Sequence, residues 1–391
     1  MVDCEAKASI CDVCQQRYDC FDRLQRIALS VSSMRFGSPA ACLATRVSAK
    51  AVFYMYLHVS VRLHAFCCYP VRTQIGFQES IMASDMHGKT VLITGGARGM
   101  GREAAVSLGG MGAHVIIVDW EGEAGTRTRD LINGTGVGTA EFRYCDLSSM
   151  ADVRALAENV LVTHARLDVL INNAGITDPV RRTSVDGFEM HLATCHLGHF
   201  LLTHLLLDLL KRSAPARIIV ISSEAHKAGP GLDFADLNNE KIWKDHAKPS
   251  NNAAFTAYHR AKLCNLYFVL RLAQRLGGTG VTVNAISPGY FVNTTIYRNL
   301  TGIFMLGAKL VFGVGTLFGL NTPARSARTY VWLATDPALV DTTGGYFEHM
   351  QVKETSDLAK STESAEKLWA WTAAATGVGS QDPDPGWIGP I

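Results

Sequence analysis

Apolar and polar residues follow a regular pattern only from about residue 87 of this 391-residue chain. From there, short β-branched apolar runs alternate with longer stretches of helical spacing such as "MADVRALAENVLVTHA" and "HLGHFLLTHLLLDLLK". The runs predicted to be strands are "TVLITG" (90–95), "HVIIVD" (114–119), "EFRYCD" (141–146), "LDVLINNAG" (167–175), "RIIVISS" (217–223) and "VTVNAIS" (281–287). Strands that are apolar on both faces and alternate with helices predict a parallel sheet covered by helices on both sides.

The predicted fold is therefore α/β, a single doubly wound parallel-sheet (Rossmann) domain with an irregular N-terminal leader. We place the leader at residues 1–86, the domain at 87–355, and a C-terminal helix with a flexible tail, beginning at about residue 370, within 356–391. The apolar stretch at 51–70 is interrupted by His58, Arg62 and His64 and falls short of the roughly 18 apolar residues of a membrane span. A membrane-associated leader and a poorly ordered one both stay open as interpretations.

Composition narrows the class of protein. With 48% hydrophobic and 18% charged residues, the chain is typical of a soluble globular protein. A net charge of +2 without a basic stripe argues against nucleic acid as a partner. Seven of the ten cysteines precede residue 70, and Cys145, Cys195 and Cys264 are predicted to be reduced interior residues. Because no second half completes the "CDVC" at 11–14, no metal site is predicted.

A glycine-rich turn, "TGGARGMG" (94–101), directly follows the first predicted strand. A strand leading through glycines into a helix allows backbone amides and the positive helix end to meet a pyrophosphate. Asp119 ends the second strand, eighteen residues after Gly101, where a carboxylate can accept hydrogen bonds from a ribose. The alternative is that Asp119 simply caps the next helix.

Five ordered motifs resemble the short-chain dehydrogenase/reductase family over about residues 88–350. They are the glycine turn, "NNAG" (172–175), the serine pair of "VISSEAH", Tyr258-x-x-x-Lys262 and "SPG" (287–289). The segments "RRTSVDGFEMHLATCHLGHFLLTHLLLDLLK", "FADLN" and "NTTIYRNL" resemble the branch that contains retinol dehydrogenases, the WW-domain oxidoreductase and the X-linked dehydrogenase/reductase member. "YCDLSSM" and the segment after "SPG" resemble the last of these most.

The resemblance implies that Tyr258 is the catalytic acid or base and Lys262 its tuning cation, with Ser223 orienting the substrate oxygen. A spacing of four residues puts the tyrosine and lysine one helical turn apart on the same face. A phenol with a pKa near ~10 needs such a cation to act near neutral pH. Ser223 lies 35 residues before Tyr258, because the insertion at 231–252 lengthens the loop between them. Ser223 is therefore assigned by its position at the end of the fifth predicted strand. The alternative for these residues is a turn serine and an exposed helix pair.

One position departs from the family pattern. Where most relatives have Asn before the His of "HLGHF", this chain has Cys195. The resemblance implies that the Asn bends the helix so that its carbonyl binds a water leading to the lysine. Cysteine lacks the amide that fixes this bend, which predicts slower turnover or none.

The resemblance also implies a set of cofactor contacts. They are Gly95, Arg98, Gly99, Met100, Gly101, Asp119, Asp146, Leu147, Asn173, Ala174, Gly175, Tyr258, Lys262, Pro288, Gly289 and Thr294. "PGYFVNT" is one residue longer than usual, so either Asn293 or Thr294 meets the nicotinamide amide. Asp119 should repel the 2′-phosphate of NADP whereas Arg98 would favour it, and because the carboxylate lies nearer the discriminating hydroxyl we expect NAD.

Substrate and partners are indicated by an apolar segment at 301–320, where the family places its substrate lid. It suits a retinoid, steroid or polyprenoid and can contact a membrane surface, although a core or dimer helix has the same pattern. Family analogy suggests a homodimer through helices including 186–212 and 253–276. We expect a cytoplasmic location or one peripheral to an intracellular membrane. The leading hypothesis is an oxidoreductase, and its rival is a catalytically impaired dinucleotide-binding protein that acts through partner binding.

Overall fold

An eight-stranded sheet forms the centre of the described chain, which in this computed structural model comprises residues 84–229, 231–243, 248–289 and 322–379. Several predictions lie outside these residues. They concern most of the leader and its cysteines, Asn293, Thr294, the segment at 301–320 and the chain after residue 379.

The strand order is β3-β2-β1-β4-β5-β6-β7-β8. Neighbouring strands from β1 to β7 pair in parallel, and β8 pairs with β7 in antiparallel register. The strands are β1 (Thr90–Thr94), β2 (His114–Asp119), β3 (Thr139–Tyr144), β4 (Val169–Asn172), β5 (Ala216–Ile221), β6 (Val281–Ser287), β7 (Tyr346–Glu348) and β8 (Gln351–Val352). Six were predicted, whereas β7 and β8 are too short to show a period of two.

Helices cover both faces of this sheet. They are α1 (Gly99–Gly110), α2 (Gly122–Asn133), α3 (Met150–Thr163), α4 (Met190–Arg212), α5 (Asn251–Arg275), α6 (Pro323–Thr335) and α7 (Thr362–Thr376). Side chains of β1 show which helices cover each face. Val91 and Ile93 pack with α1 and α6 on one face, whereas Leu92 packs with α3, α4 and α5 on the other. The prediction of a doubly wound parallel-sheet domain is confirmed.

Helix α4 is the only helix within the described residues that is long and apolar enough to cross a membrane. Of its most apolar stretch, 78% is buried inside the protein, as in a core helix. The cysteines of the domain, Cys145, Cys195 and Cys264, are buried and unbridged, as predicted.

Helix α7 packs on an apolar face of α4 and α5. The Trp369 ring lies 4.9 Å from that of Phe200 and 6.0 Å from that of Phe268, and Glu366 pairs with Arg271. The helix continues to Thr376, past the expected start of the tail at about residue 370. A homodimer that used this face of α4 and α5 would first have to displace α7.

Candidate active site

The glycine turn joins β1 to α1 at the edge of the sheet where the parallel strands end, which we call the carboxyl edge. Gly95 has φ of +65°, in the left-handed region, and a Cβ at Gly101 would lie 2.2 Å from the Gly95 oxygen. Helix α1 begins at Gly99 without a side-chain cap from Arg98, whereas α3 is capped by Ser149. The start of α1 therefore has no cap from Arg98, and a helix N-terminus of this kind suits the phosphates of a dinucleotide.

Asn173 braces this turn from the end of β4. Its Nδ2 donates to the oxygens of Thr94 (2.8 Å) and Gly95 (3.1 Å). Its Oδ1 accepts a hydrogen bond of 3.0 Å from the hydroxyl of Tyr330, a buried residue of α6. Asn173 therefore supports the turn through its side chain, and Tyr330 is a part of the site that the sequence motifs did not reveal.

Asp119 lies at the end of β2, beside the same turn. Its carboxylate accepts hydrogen bonds of 3.1 Å from the amides of Ala97 and Glu121. Burial raises the pKa of Asp119. The residue before α2 is Glu121, so Asp119 is not the cap of that helix. Arg98 forms an ion pair with Glu121, with 2.5 Å between Nε and Oε2.

The other predicted cofactor residues that the structure describes also lie at the carboxyl edge. Asp146 follows β3 and accepts hydrogen bonds from the amide and hydroxyl of Ser148. Pro288 follows β6, and its carbonyl accepts a hydrogen bond of 2.8 Å from Ser326 of α6. The remaining members of this group are Gly99 and Met100 in α1, Leu147 after β3, Ala174 and Gly175 after β4, and Gly289 after β6. Because parallel strands end at one edge, the chain brings all of these residues to the same edge of the sheet.

Tyr258 and Lys262 lie one turn apart on α5. The Lys262 Nζ is 5.5 Å from the centre of the Tyr258 ring and donates a 2.8 Å hydrogen bond to the main-chain oxygen of Ile221 at the end of β5. Lys262 is only 2% exposed, and its burial lowers the pKa of the ammonium group. Tyr258 is half-buried. Because Lys262 is buried, the alternative of an exposed helix pair is wrong for the lysine.

Ser223 follows the same strand end. The hydroxyl of Ser222 donates to the main-chain oxygen of Lys262 (2.8 Å), which joins this strand end to α5. The Ser223 Oγ accepts a 3.1 Å hydrogen bond from the Ala225 amide and so does form a turn. Because a hydroxyl both accepts and donates, Ser223 still has a proton to donate.

Cys195 lies in a π-helical turn, Ala193–Leu197, at the start of α4. The helix is thus distorted here without the Asn of most relatives, and the predicted effect of Cys195 on turnover stays a prediction. A chain of hydrogen bonds holds the turn, in which the Thr94 hydroxyl contacts His199 Nε2 at 2.8 Å and His199 Nδ1 contacts the Cys195 oxygen at 3.2 Å. The Cys195 main-chain oxygen can only accept, so Nδ1 of His199 carries the proton and Nε2 accepts from the Thr94 hydroxyl.

The sequence profile described as short chain dehydrogenase matches residues 89–232. Human retinol dehydrogenase 14 is 41% identical over 298 residues, which cover 73% of this chain and 85% of that protein. The chain belongs to the short-chain dehydrogenase family. Human retinol dehydrogenase 13 is 38% identical over 295 residues, covering 74% of this chain and 85% of that protein.

Solved structures with this family's fold are also similar. An uncharacterised protein from Mycobacterium paratuberculosis is 29% identical with a TM-score of 0.56 and covers 76% of this chain and 97% of its own. RhlG of Pseudomonas aeruginosa, solved as an active-site complex with NADP, is 28% identical with a TM-score of 0.52 and covers 67% of this chain and 95% of its own.

Proposed function

We propose that this short-chain dehydrogenase transfers a hydride between a nicotinamide cofactor and an apolar alcohol or carbonyl, of which retinoids are the leading class. The observation that carries the proposal is the buried Lys262, whose ammonium group lies 5.5 Å from the Tyr258 ring at the carboxyl edge. A buried cation beside a phenol has a clear chemical use, since it favours the phenolate. The same arrangement supports catalysis over a purely partner-binding role.

Each residue of the proposed site has a separate role in the reaction. The Tyr258 hydroxyl gives a proton to the substrate oxygen during reduction and takes one during oxidation. Lys262 stabilises the phenolate form, and Ser223 donates a hydrogen bond that orients the substrate oxygen. The cofactor, when bound, supplies or accepts the hydride. Residues of the glycine turn and Asp119 would hold its pyrophosphate and adenosine ribose, and Asn293 or Thr294 its nicotinamide amide.

For the cofactor we propose NAD, with NADP less favoured. Asp119 is a half-buried carboxylate next to the turn, and it would repel a 2′-phosphate. The guanidinium of Arg98 is already paired with Glu121 and is therefore less able to attract that phosphate. Comparable kcat/KM values for NAD and NADP would overturn this preference.

The substrate class rests on two features. Relatives at 34–41% identity are named retinol dehydrogenases, and the segment at 301–320 is apolar apart from Lys309. We further propose that the protein is a cytoplasmic enzyme or works at the surface of an intracellular membrane. The membrane surface suits an apolar substrate, because such a substrate partitions into membranes.

Cofactor turnover with panels of retinoids, steroids and polyprenoids tests the proposed function. Tyr258→Phe removes the proton donor and is expected to lower kcat by about 10³-fold while cofactor binding persists. Tyr267→Phe is the matched control, because Tyr267 lies on the same helix but donates to the main-chain oxygen of Leu358, so its turnover should stay unchanged. Turnover that survives in Tyr258→Phe would remove this tyrosine from the mechanism. No turnover by wild type with any substrate would favour the partner-binding rival.

A further inference from the structure

A cluster of two histidines and a glutamate lies at the opposite edge of the sheet, where the parallel strands begin and which we call the amino edge. His114 is the first residue of β2, Glu141 lies on β3, and His164 follows the end of α3. One ligand atom from each of these residues lies within 4.8 Å of the others. The dehydrogenase site at the carboxyl edge uses none of them.

Two distances between these atoms match those around a tetrahedral metal ion. His164 Nε2 lies 3.4 Å from His114 Nε2 and 3.5 Å from Glu141 Oε1. Metal–ligand bonds of about 2.0–2.2 Å at tetrahedral angles put neighbouring ligand atoms about 3.3–3.5 Å apart. The side chains therefore need little movement to share one ion.

Hydrogen bonds on the far side of each ring prepare the histidines as ligands. Nδ1 of His114 lies 2.7 Å from the hydroxyl of Thr139, and Nδ1 of His164 lies 2.7 Å from that of Thr163. A ring that donates from Nδ1 carries its lone pair on Nε2, which is the form that binds a metal.

The carboxylate of Glu141 has one oxygen free for an ion. Within the described chain, its Oε1 is buried and has no hydrogen-bond partner. Its Oε2 accepts a hydrogen bond of 2.9 Å from Arg143, which fixes the carboxylate and leaves it to bind through the other oxygen. A buried oxygen without a partner costs free energy that a cation would offset.

We propose that His114 Nε2, His164 Nε2 and Glu141 Oε1 bind one divalent transition-metal ion, with Zn²⁺ as the fitting candidate and water as the fourth ligand. The ion would join the start of β2, the edge strand β3 and the end of α3. It would stabilise the nucleotide-binding half of the sheet from the edge that the substrate does not reach.

Titration of the metal-free, untagged full chain with Co²⁺ and Zn²⁺ tests the site. Wild type should bind one Co²⁺ per chain with an absorption spectrum of nitrogen and oxygen ligands and without a thiolate charge-transfer band. Because outer partners alone change metal affinity by about 10–100-fold, Glu141→Gln and His164→Gln should each raise the Kd by at least about 100-fold. Zn²⁺ should raise the Tm of wild type by a few degrees and leave the Tm of both variants unchanged.

Two controls separate this site from other metal-binding groups. His87→Gln removes a more exposed imidazole outside the cluster and should bind Co²⁺ like wild type. A Cys11→Ser, Cys14→Ser double variant removes the leader's "CDVC" thiols and should also bind normally. The metal-free Tm of Glu141→Gln and His164→Gln should match that of wild type, which shows that they fold.

Three results would overturn the proposal. One is equal Co²⁺ affinity in His164→Gln and wild type. Another is loss of all binding when the leader thiols are removed. The last is no binding by wild type, which would leave the two histidines as a hydrogen-bonded pair that shares a proton.

Discussion

Two buried charged side chains, Asp168 at the amino edge of the sheet and Lys262 at the carboxyl edge, have partners of opposite kinds. At the amino edge, Asp168 is 3% exposed and accepts hydrogen bonds from Lys89, from Arg166 and from the Thr90 amide. At the carboxyl edge, Lys262 is equally buried, yet within the described residues its ammonium group donates to a main-chain oxygen and pairs with no carboxylate.

The pKa shifts of Asp168, Lys262 and Asp119 differ in the same way. Burial opposes ionisation of Asp168, but hydrogen bonds from Arg166, Thr90 and Lys89 outweigh it and lower the pKa of the carboxyl group. Burial dominates at Lys262, whose pKa falls, and at Asp119, whose pKa rises. The charge of Asp168 at the amino edge is thus already compensated, whereas Lys262 and Asp119 at the carboxyl edge are groups whose charge a bound cofactor and substrate would compensate.

Removing one charge from each edge should separate activity from stability. Lys262→Met is expected to lower kcat by at least about 10²-fold, and to stabilise the fold by about 1 kcal/mol, since an apolar chain replaces a buried unpaired ammonium group. Arg166→Met should leave kcat unchanged and cost about 1 kcal/mol, because Asp168 loses a partner. Turnover and urea unfolding measure both effects. An active Lys262→Met variant, or one less stable than Arg166→Met, would break the comparison.

Buried histidines of α4 should make the fold sensitive to acid. Burial lowers the pKa of His196 to about 4 and that of His199 to about 3. Between these values and the ordinary 6.5, the unfolded chain binds protons that the folded chain does not, so stability falls as pH falls below about 6.5. Each histidine contributes a slope of about 1.4 kcal/mol per pH unit.

The variant His196→Gln tests this slope while keeping groups that can bond to Asn265 and Thr372. Its free energy of unfolding should fall by about 2 kcal/mol less than that of wild type between pH 6 and pH 4.5. His87→Gln, at an exposed histidine, should follow the wild-type curve. Equal slopes in His196→Gln and wild type would contradict the assignment.

Cys195 offers a test of the π-helical turn beside the lysine. The thiol and the Lys262 Nζ lie 3.5 and 3.6 Å from the point where a Cβ at Gly175 would stand. Cys195→Asn puts an amide where it can donate to the oxygen of Ile176, which is 4.0 Å from the thiol. We expect kcat to rise by about tenfold, a gain of about 1.4 kcal/mol in transition-state stabilisation. Cys195→Ala, which supplies no amide, should not show this rise, and a lower kcat in Cys195→Asn would count against the role of this position.

Glu121→Gln should have the smallest effect. It releases Arg98 from its ion pair, so kcat/KM with NADP should rise several-fold relative to NAD. Glu123→Gln removes a carboxylate two residues further along the chain that pairs with Arg127, and it should leave the ratio unchanged. An unchanged ratio in Glu121→Gln would show that this ion pair has no part in cofactor choice.

The sequence predicted the parts of the site that lie in continuous segments. The glycine turn, Asp119 and the Tyr258–Lys262 pair were found because strand ends, turn glycines and helical spacing are local signals. The hydrogen bonds around the π-helical turn at Cys195 could not be predicted from nearby residues, because His199 contacts Thr94, which is 105 residues away from that histidine.

By itself, the sequence determined the alternation of strands and helices, the six long strands of the sheet and the motif positions, since each depends on the identity and spacing of nearby residues. Three features depended on the tertiary structure alone. Tyr330 contacts Asn173, which is 157 residues away, α7 covers α4 and α5, and His114 contacts His164. Such contacts depend on which strand ends and helices become neighbours in the folded sheet, and no local pattern carries that information.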